Sequence, residues 1–283
     1  MIRKLKKAHK EYRIKPSEWY LNWRWRARAR TSELPVTFVV GAPRSGTTLI
    51  QKVIESHSRY FAHDDETAMF TLQNIFRLNR KHFGLEDKKL IEALNNSNDV
   101  VDFFEKQVNR LQDNRGGDFF VEKTPQHIRH LPFILKKFPN CRIVHVVRDG
   151  RDNYCSARDH SGVPQGTSVQ KFAPYWSKLV ELGLAVDEDQ RLIQVHYERF
   201  TENQVTEATR LMEHLKCDFE PSQLDSSARS QDHRADKAEF QRLKEKISNK
   251  SVGRWKNEMS SKEAATFKQL AGRTLQRLGY SLD

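Results

Sequence analysis

The chain has 283 residues, of which 37% are hydrophobic and 16 are Phe, enough for one sizeable packed core. This composition excludes a disordered chain, a peptide hormone and a small disulfide-stapled domain. The longest apolar runs, such as Phe38 to Val40, are far shorter than the roughly 20 residues that a membrane-spanning helix needs. The three cysteines form no CxxC pair, so we expect reduced thiols in a cytoplasmic protein.

The excess positive charge lies near the N-terminus. The formal net charge is +12, and residues 1–30 contain eleven Lys/Arg against only Glu11 and Glu18. The rest of the chain therefore carries about +3. A nucleic-acid-binding protein that acts through the basic N-terminal residues is disfavoured, because the rest of its surface should then be basic too. We interpret residues 1–34 as a basic, aromatic arm. The arm either packs its Trp side chains on the body or contacts an anionic membrane surface or an acidic substrate.

Residues 35–283 are predicted to form a single α/β domain with a mainly parallel central sheet flanked by helices. Short β-type runs alternate there with helical patterns, which is typical of βαβ units. The predicted strands are Val36 to Val40, Phe119 to Glu122, Arg142 to Val147 and Leu192 to His196. The predicted helices are Thr47 to Ser56, Glu66 to Leu78, Glu86 to Asn95, Val100 to Gln112, His127 to Phe138, Val169 to Val186, Gln204 to Leu215, Asp236 to Ile247 and Lys262 to Leu278.

The first predicted strand runs directly into the sequence GAPRSGTT, residues 41–48, and then into a helix. At such a helix N-terminus, free backbone N–H groups and the positive end of the helix dipole form an anion site. The spacing of Gly41 and Gly46 matches a Walker A loop, but Thr47 stands where nucleotide triphosphatases have Lys. A phosphate-like ligand is therefore predicted, and a P-loop kinase that uses ATP is the less favoured alternative.

A second candidate anion site follows the third predicted strand. Arg148 comes directly after that strand, and Ser156 comes eight residues later. An Arg fork and a Ser hydroxyl can together hold a dianionic phosphate. The alternative is a surface ion pair between Arg148 and either Asp149 or Asp152.

Four side chains, those of Arg44, Lys123, Arg148 and Tyr197, each fall just past the end of a different predicted strand. In open α/β sheets, ligands bind in the crevice outside the carboxyl ends of the strands. One crevice can therefore gather all four. The eleven His residues show no HxxxH or HExxH spacing, so the sequence predicts no metal site.

In these motifs the sequence resembles the sulfotransferases that use 3′-phosphoadenosine 5′-phosphosulfate (PAPS). GAPRSGTTL is similar to their 5′-phosphosulfate loop, and the Arg148 to Ser156 spacing is similar to their 3′-phosphate site. Four further motifs follow in the family's order: EKTP at 122–125, FPN at 138–140, VHYE at 195–198 and GRWK at 253–256. The DET motif at 65–67 is closest to the subgroup that includes the tyrosylprotein sulfotransferases.

The resemblance implies a P-loop-like nucleotide-binding fold, PAPS as the cofactor that donates the sulfuryl group, and no metal. It implies a hydroxyl acceptor on a glycan, a lipid, a small molecule or a tyrosine, and it leaves open whether the chain forms a homodimer. Arg44 and Lys123 would stabilise the negative charge on the departing phosphate. The implied donor-binding residues are Arg44, Ser45, Gly46, Thr47, Thr48, Arg148, Ser156, Tyr197, Lys250 and Ser251.

The acceptor hydroxyl needs a general base, and Glu66 is the candidate at the position that matches the family. Asp64 and Asp65 would make it a stronger base by repelling negative charge. His63 is the competing base, and a purely structural alternative makes Glu66 an N-terminal capping acid of the following helix.

The sequence departs from the tyrosylprotein pattern in two places. The segment between His57 and Thr67 is one residue longer, and His160 stands where that subgroup has a second Arg that contacts the phosphate. These differences concern the base and the acceptor, not the donor.

Overall fold

The computed structural model describes residues 23–63, 65–71, 85–160, 162–225 and 246–283. Its parallel sheet has five strands: β1 (Val36–Gly41), β2 (Tyr60–Ala62), β3 (Phe119–Lys123), β4 (Arg142–Val147) and β5 (Leu192–His196). The strand order is β2-β3-β1-β4-β5, which places β1 at the centre. The predicted fold class, a parallel sheet flanked by helices, is confirmed.

Helices cover both faces of this sheet. They are α1 (Thr47–Glu55), α2 (Asp87–Asn95), α3 (Val100–Arg115), α4 (Leu131–Lys137), α5 (Gly150–Ala157), α6 (Val169–Leu184), α7 (Tyr197–Glu202), α8 (Gln204–His214), α9 (Trp255–Glu258) and α10 (Ser261–Arg277). Shorter 3-10 turns occupy Pro125–His130, Pro164–Thr167 and Pro221–Leu224.

Neighbouring residues of β1 point to opposite faces of the sheet, and both faces are apolar. Phe38 packs with Phe104 and Phe138 in the core beneath α3, α4 and α6. Val39 packs with Ile54 in the core beneath α1 and α8. Every residue of β1 is buried, including the polar Thr37, and the strand ends at the loop that follows Gly41.

All four predicted strands are present, whereas β2 was not predicted because its three residues are too few to show a two-residue period. The prediction of a helix from Glu66 to Leu78 is wrong for residues 66–71, which form turns, with Ala68 at a φ of 51°. Residues 72–78 lie outside the described residues, as does most of the predicted helix from Asp236 to Ile247.

The described part of the predicted arm, residues 23–34, packs on the body. Arg26 donates one hydrogen bond to the Phe70 carbonyl oxygen at 3.2 Å and another to His130 Nδ1 at 3.1 Å. Arg30 forms an ion pair with Asp102 at 3.1 Å. Residues 1–22, which carry most of the basic charge, lie outside the described residues, so the membrane or acidic-substrate contact stays a prediction. No described helix is long and apolar enough to cross a membrane.

His145 is fully buried in β4 and gives the fold a pH dependence. A Cβ atom at Gly183 of α6 would lie only 2.2 Å from the His145 ring, so the two elements are in close contact. Neither ring nitrogen has a hydrogen-bond partner among the described residues. Burial, with a smaller contribution from nearby His196, lowers the pKa of His145 from 6.5 to about 3.

We expect the free energy of unfolding to fall as the pH drops from 7 to 5. Between pH 6.5 and pH 3 the unfolded chain binds a proton at this position that the folded chain does not. At pH 5 this proton uptake by the unfolded chain at His145 lowers the free energy of unfolding by about 2 kcal/mol. Urea unfolding at pH 7 and pH 5 should show a smaller pH dependence for His145→Leu than for the wild type. An equal pH dependence in both proteins would contradict this assignment.

Candidate active site

A cavity of about 400 Å³ opens at the carboxyl ends of the strands. Ten of the predicted site residues line it: Arg44, Gly46, Thr47, Thr48, Glu66, Arg148, Ser156, Tyr197, Lys250 and Ser251. Ser45 and Lys123 are not among the described lining residues. The predicted residues therefore make up half of the twenty described residues that line the cavity.

The loop between β1 and α1 is tight because its backbone adopts the left-handed region twice. Arg44 has a φ of 70°, and Gly46, the residue before α1, has a φ of 98°. A Cβ atom at Gly46 would lie 2.4 Å from the Tyr197 ring, so glycine is required there both for its φ and for its size. This geometry leaves the N-terminus of α1 facing the cavity.

Ser45 differs from its prediction as a ligand-binding hydroxyl. Its Oγ donates to the Ala42 carbonyl at 2.8 Å, and its backbone N–H points to the same oxygen at 3.2 Å. Both donors therefore face into the loop and stabilise its turn. Thr47 and Thr48, at the start of α1, line the cavity instead.

Arg148 is buried, with 5% of its surface exposed, and it lies at the wall of the cavity. Its guanidinium donates to the carbonyl oxygens of Ser251 at 2.6 Å and Arg44 at 3.3 Å, and it stacks on the Tyr197 ring at 4.6 Å. Its Nε has no hydrogen-bond partner among the described residues. Within the described part of the chain, no carboxylate lies within ion-pair distance of Arg148.

The acidic residues after Arg148 have other partners, so the surface ion-pair alternative is wrong. Asp149 pairs with Arg151 at 2.8 Å. Asp152 accepts from the backbone N–H groups of Gly253 and Trp255 at 2.8 and 3.0 Å. Burial raises the pKa of Asp152 despite these two hydrogen bonds. This carboxylate fastens the GRWK segment to α5, beside the residue whose carbonyl holds Arg148.

Arg44 lies on the same side of the cavity as Ser156. Its Nε donates to the Ser156 Oγ at 3.2 Å, which joins the loop to α5. Arg44 was predicted to act beside Lys123 on the departing phosphate. The structure instead joins it to the residues predicted to bind the 3′-phosphate.

Lys123 and Glu66 form an ion pair of 2.8 Å between Nζ and Oε1. The Lys123 side chain is 3% exposed and the Glu66 side chain is 47% exposed, and of the two only Glu66 is among the described residues that line the cavity. No helix begins at Glu66, which removes the structural alternative of a residue at a helix N-terminus.

His63, the competing base, is turned inward. Its Nδ1 lies 2.9 Å from the backbone oxygen and 3.1 Å from the backbone nitrogen of Asp65, and the residue is buried. His63 is not among the described residues that line the cavity. Its geometry therefore favours Glu66 as the group that meets an acceptor.

Several lining residues were not predicted. Pro125 and Gln126 follow the end of β3, and the same rule about carboxyl ends that located Lys123 could have found them. Gly162 and Val163 come from a loop whose position depends on packing between α5 and α6 and carries no sequence signal. In the described ranges, no group of three or more His, Cys, Asp or Glu side chains is arranged to hold a metal ion.

Comparisons with known proteins agree on one family. The model of the sulfotransferase family matches residues 35–221. A protein-tyrosine sulfotransferase from Danio rerio is 23% identical over 177 residues, which span 59% of this chain and 49% of that protein. The chain spans about half or less of the length of several curated relatives that it matches.

Two solved structures share the fold. The sulfotransferase domain of an olefin synthase from Synechococcus superposes with a TM-score of 0.69 at 17% identity, over 90% of this chain and 98% of that domain. A mouse sulfotransferase complexed with PAP superposes with a TM-score of 0.58 at 17% identity, over 92% of this chain and 90% of that one. Because the family model covers more than half of the chain and the fold agrees, this chain belongs to the sulfotransferase family.

Proposed function

We propose that this chain transfers a sulfuryl group from PAPS to a hydroxyl acceptor. One observation carries the proposal: Arg148 is buried beside the cavity, and among the described residues no carboxylate lies within ion-pair distance of it and no group bonds its Nε. The Asp152 and Glu198 carboxylates act on its charge only from a longer distance. A buried guanidinium is costly unless an anion compensates its charge. A phosphate group at this position would supply that charge.

The donor-binding residues follow from this position. Arg148, Ser156 and Arg44 would hold the 3′-phosphate of PAPS, and their mutual contacts support that assignment. The N-terminus of α1, with Thr47 and Thr48, would hold the 5′-phosphosulfate through backbone N–H groups and hydroxyls. Lys250 and Ser251 would close over the nucleotide, and Tyr197 would contact it along the ring edge that faces the cavity. The mouse structure that shares this fold holds PAP, the product that remains after transfer.

Lys123 and Glu66 supply the chemistry in this proposal. PAPS supplies the sulfuryl group, which forms a bond to the acceptor oxygen as its bond to the bridging phosphate oxygen breaks. Lys123 stabilises the negative charge that develops on the bridging oxygen. Glu66 takes the proton of the acceptor hydroxyl as the acceptor oxygen bonds to sulfur, so the Glu66 carboxylate becomes a neutral carboxylic acid. Arg44 is proposed to bind phosphate, and the catalytic part of its predicted role is not retained.

The acceptor would enter beside Glu66, along Pro125, Gln126 and Val163. These residues bring mainly neutral surface, which favours an uncharged hydroxyl-bearing group over a strongly acidic one. We keep glycans, lipids, small molecules and tyrosine as acceptor classes. Residues 35–283 are proposed as one catalytic domain, with a cytoplasmic location.

The proposal is tested by nucleotide binding. We expect calorimetry to show much tighter binding of 3′-phosphoadenosine 5′-phosphate (PAP) than of AMP, because the extra phosphate meets Arg148. Hydrogen bonds to charged groups contribute about 1.5 to 3 kcal/mol, so Arg148→Ala should weaken PAP binding by roughly tenfold to a hundredfold. AMP binding should change much less.

Arg158→Ala is the matched control. Arg148 comes just before α5 and Arg158 comes directly after it, but Arg158 pairs with Glu258 at 3.1 Å and is not among the described residues that line the cavity. It should bind PAP as the wild type does. Equal affinity for PAP and AMP would overturn the donor assignment. Transfer of label from PAPS to an acceptor pool should persist in EDTA, whereas tight Mg²⁺-dependent binding of ATP would favour the P-loop kinase.

A further inference from the structure

The short loop of residues 66–70 straddles the carboxyl end of β3. Glu122 and Lys123 are neighbours on that strand, so their side chains point to opposite faces of the sheet. The loop begins with Glu66 against Lys123 on one face. It ends with Phe70, whose backbone N–H donates to the His127 ring on the other face at 3.1 Å.

The Glu122 carboxylate accepts hydrogen bonds from the side chains that hold this loop. It is 1% exposed and accepts three hydrogen bonds, from the Thr67 and Thr124 hydroxyls and from His127 Nδ1, each at 2.7 Å. Burial raises the pKa of Glu122, whereas the hydrogen bonds from His127 and the two hydroxyls lower it. Both carboxylate oxygens are therefore hydrogen-bonded inside the fold.

Each of the three donors also accepts a backbone N–H from the loop. Thr124 Oγ1 accepts from Ala68 at 3.1 Å, Thr67 Oγ1 accepts from Met69 at 3.3 Å, and His127 Nε2 accepts from Phe70. Because a backbone N–H can only donate, His127 must carry its proton on Nδ1, which donates to Glu122. The backbone amides of residues 68–70 are therefore each linked to the Glu122 carboxylate through one side chain that bonds to both.

We propose that Glu122 is a positioning residue that holds this loop so that Glu66 stays in contact with Lys123. The inference rests on the proposed function, because it assigns Glu122 to the placement of the base. Ala68 supports it independently, since a φ of 51° is unfavourable for alanine and persists only where surrounding contacts enforce it. Catalytic groups must be held closely, and a displacement of about 1 Å can cost a hundredfold in rate.

The test replaces the hydroxyl that links the loop to Glu122. Thr67→Val keeps the shape of the side chain but removes its hydrogen bonds to Glu122 and from Met69. Thr67→Ser keeps the hydroxyl. The matched control is Thr274→Val, because Thr274 is also buried and donates to a glutamate, Glu181, at 2.8 Å between α10 and α6.

Two measurements are made on the full chain. Hydrogen exchange of the amides of residues 68–70 should become about tenfold faster in Thr67→Val and stay unchanged in Thr67→Ser and Thr274→Val. Turnover with labelled PAPS should fall about tenfold or more in Thr67→Val, while PAP affinity measured by calorimetry stays within about twofold. Thr67→Ser should restore turnover.

The outcomes separate the two proposals. Unprotected loop amides in the wild type, or faster exchange without loss of turnover in Thr67→Val, would overturn the role of Glu122. If Thr67→Val loses no more turnover than Thr274→Val, its loss reflects general destabilisation, and the positioning role of Glu122 is overturned as well. A wild-type chain that binds PAP no better than AMP would instead overturn the proposed donor, and the exchange rates would still test how the loop is held.

Discussion

Lys123→Ala is expected to lower turnover about a hundredfold or more while changing PAP affinity only a few-fold. The ammonium group is buried and lies 2.8 Å from Glu66, at the end of β3, which lies between β2 and β1 in the sheet. Its charge is needed most when the departing phosphate oxygen becomes negative, so its removal raises the barrier more than it weakens ground-state binding. Turnover with labelled PAPS and PAP calorimetry measure the two effects separately.

Lys52→Ala is the control for the loss of a buried cation. Lys52 is also buried, on α1, and pairs with Glu55 at 2.6 Å, but it is not among the described residues that line the cavity. We expect a loss of stability in that variant with little change in turnover per folded molecule. A Lys123→Ala protein that loses affinity and turnover in the same proportion would make Lys123 a binding residue instead.

Glu66→Gln is expected to reduce turnover by two to four orders of magnitude, the usual range of about 10² to 10⁴ for a general base. Glutamine keeps the shape of the side chain but cannot take the acceptor proton. Because glutamine keeps an oxygen that can accept from Lys123 Nζ and the position is about half exposed, the change should cost little stability. PAP affinity and the melting temperature should stay close to those of the wild type.

His63→Gln, measured beside it, should have a much smaller effect on turnover. His63 is buried, its Nδ1 contacts the backbone of Asp65, and it is not among the described residues that line the cavity. Near-normal turnover in Glu66→Gln together with a collapse in His63→Gln would transfer the role of base to His63. If neither variant loses turnover, the acceptor must ionise without either residue.

The part of the site that follows strand ends could be predicted from the sequence. A parallel sheet gathers the residues after β1, β3, β4 and β5 at one edge, and the strands themselves are marked by short buried apolar runs. Arg44, Arg148 and Tyr197, predicted in this way, line the cavity, and Lys123 adjoins it through its ion pair with Glu66.

The parts that depend on local backbone geometry could not be predicted. The sequence from Glu66 onward has a helical pattern, but hydrogen bonds to Thr124 and His127 hold residues 68–70 in turns instead. The direction of the Ser45 hydroxyl is set by the tight turn at Gly46, which no residue spacing reveals. In both places, contacts made through the tertiary fold override the local pattern.

The central place of β1 determines when this site can form during synthesis. Its two neighbours are β3 and β4, so the strand that carries the phosphate loop has no partner until residues 119–123 are made and lacks its second until residues 142–147 follow. Sheets built from such distant pairings fold slowly, and their unpaired apolar strands are prone to aggregation. In a nascent chain that ends before β3, β1 would lack both of its strand partners. The nucleotide site cannot be separated from the body as a smaller unit.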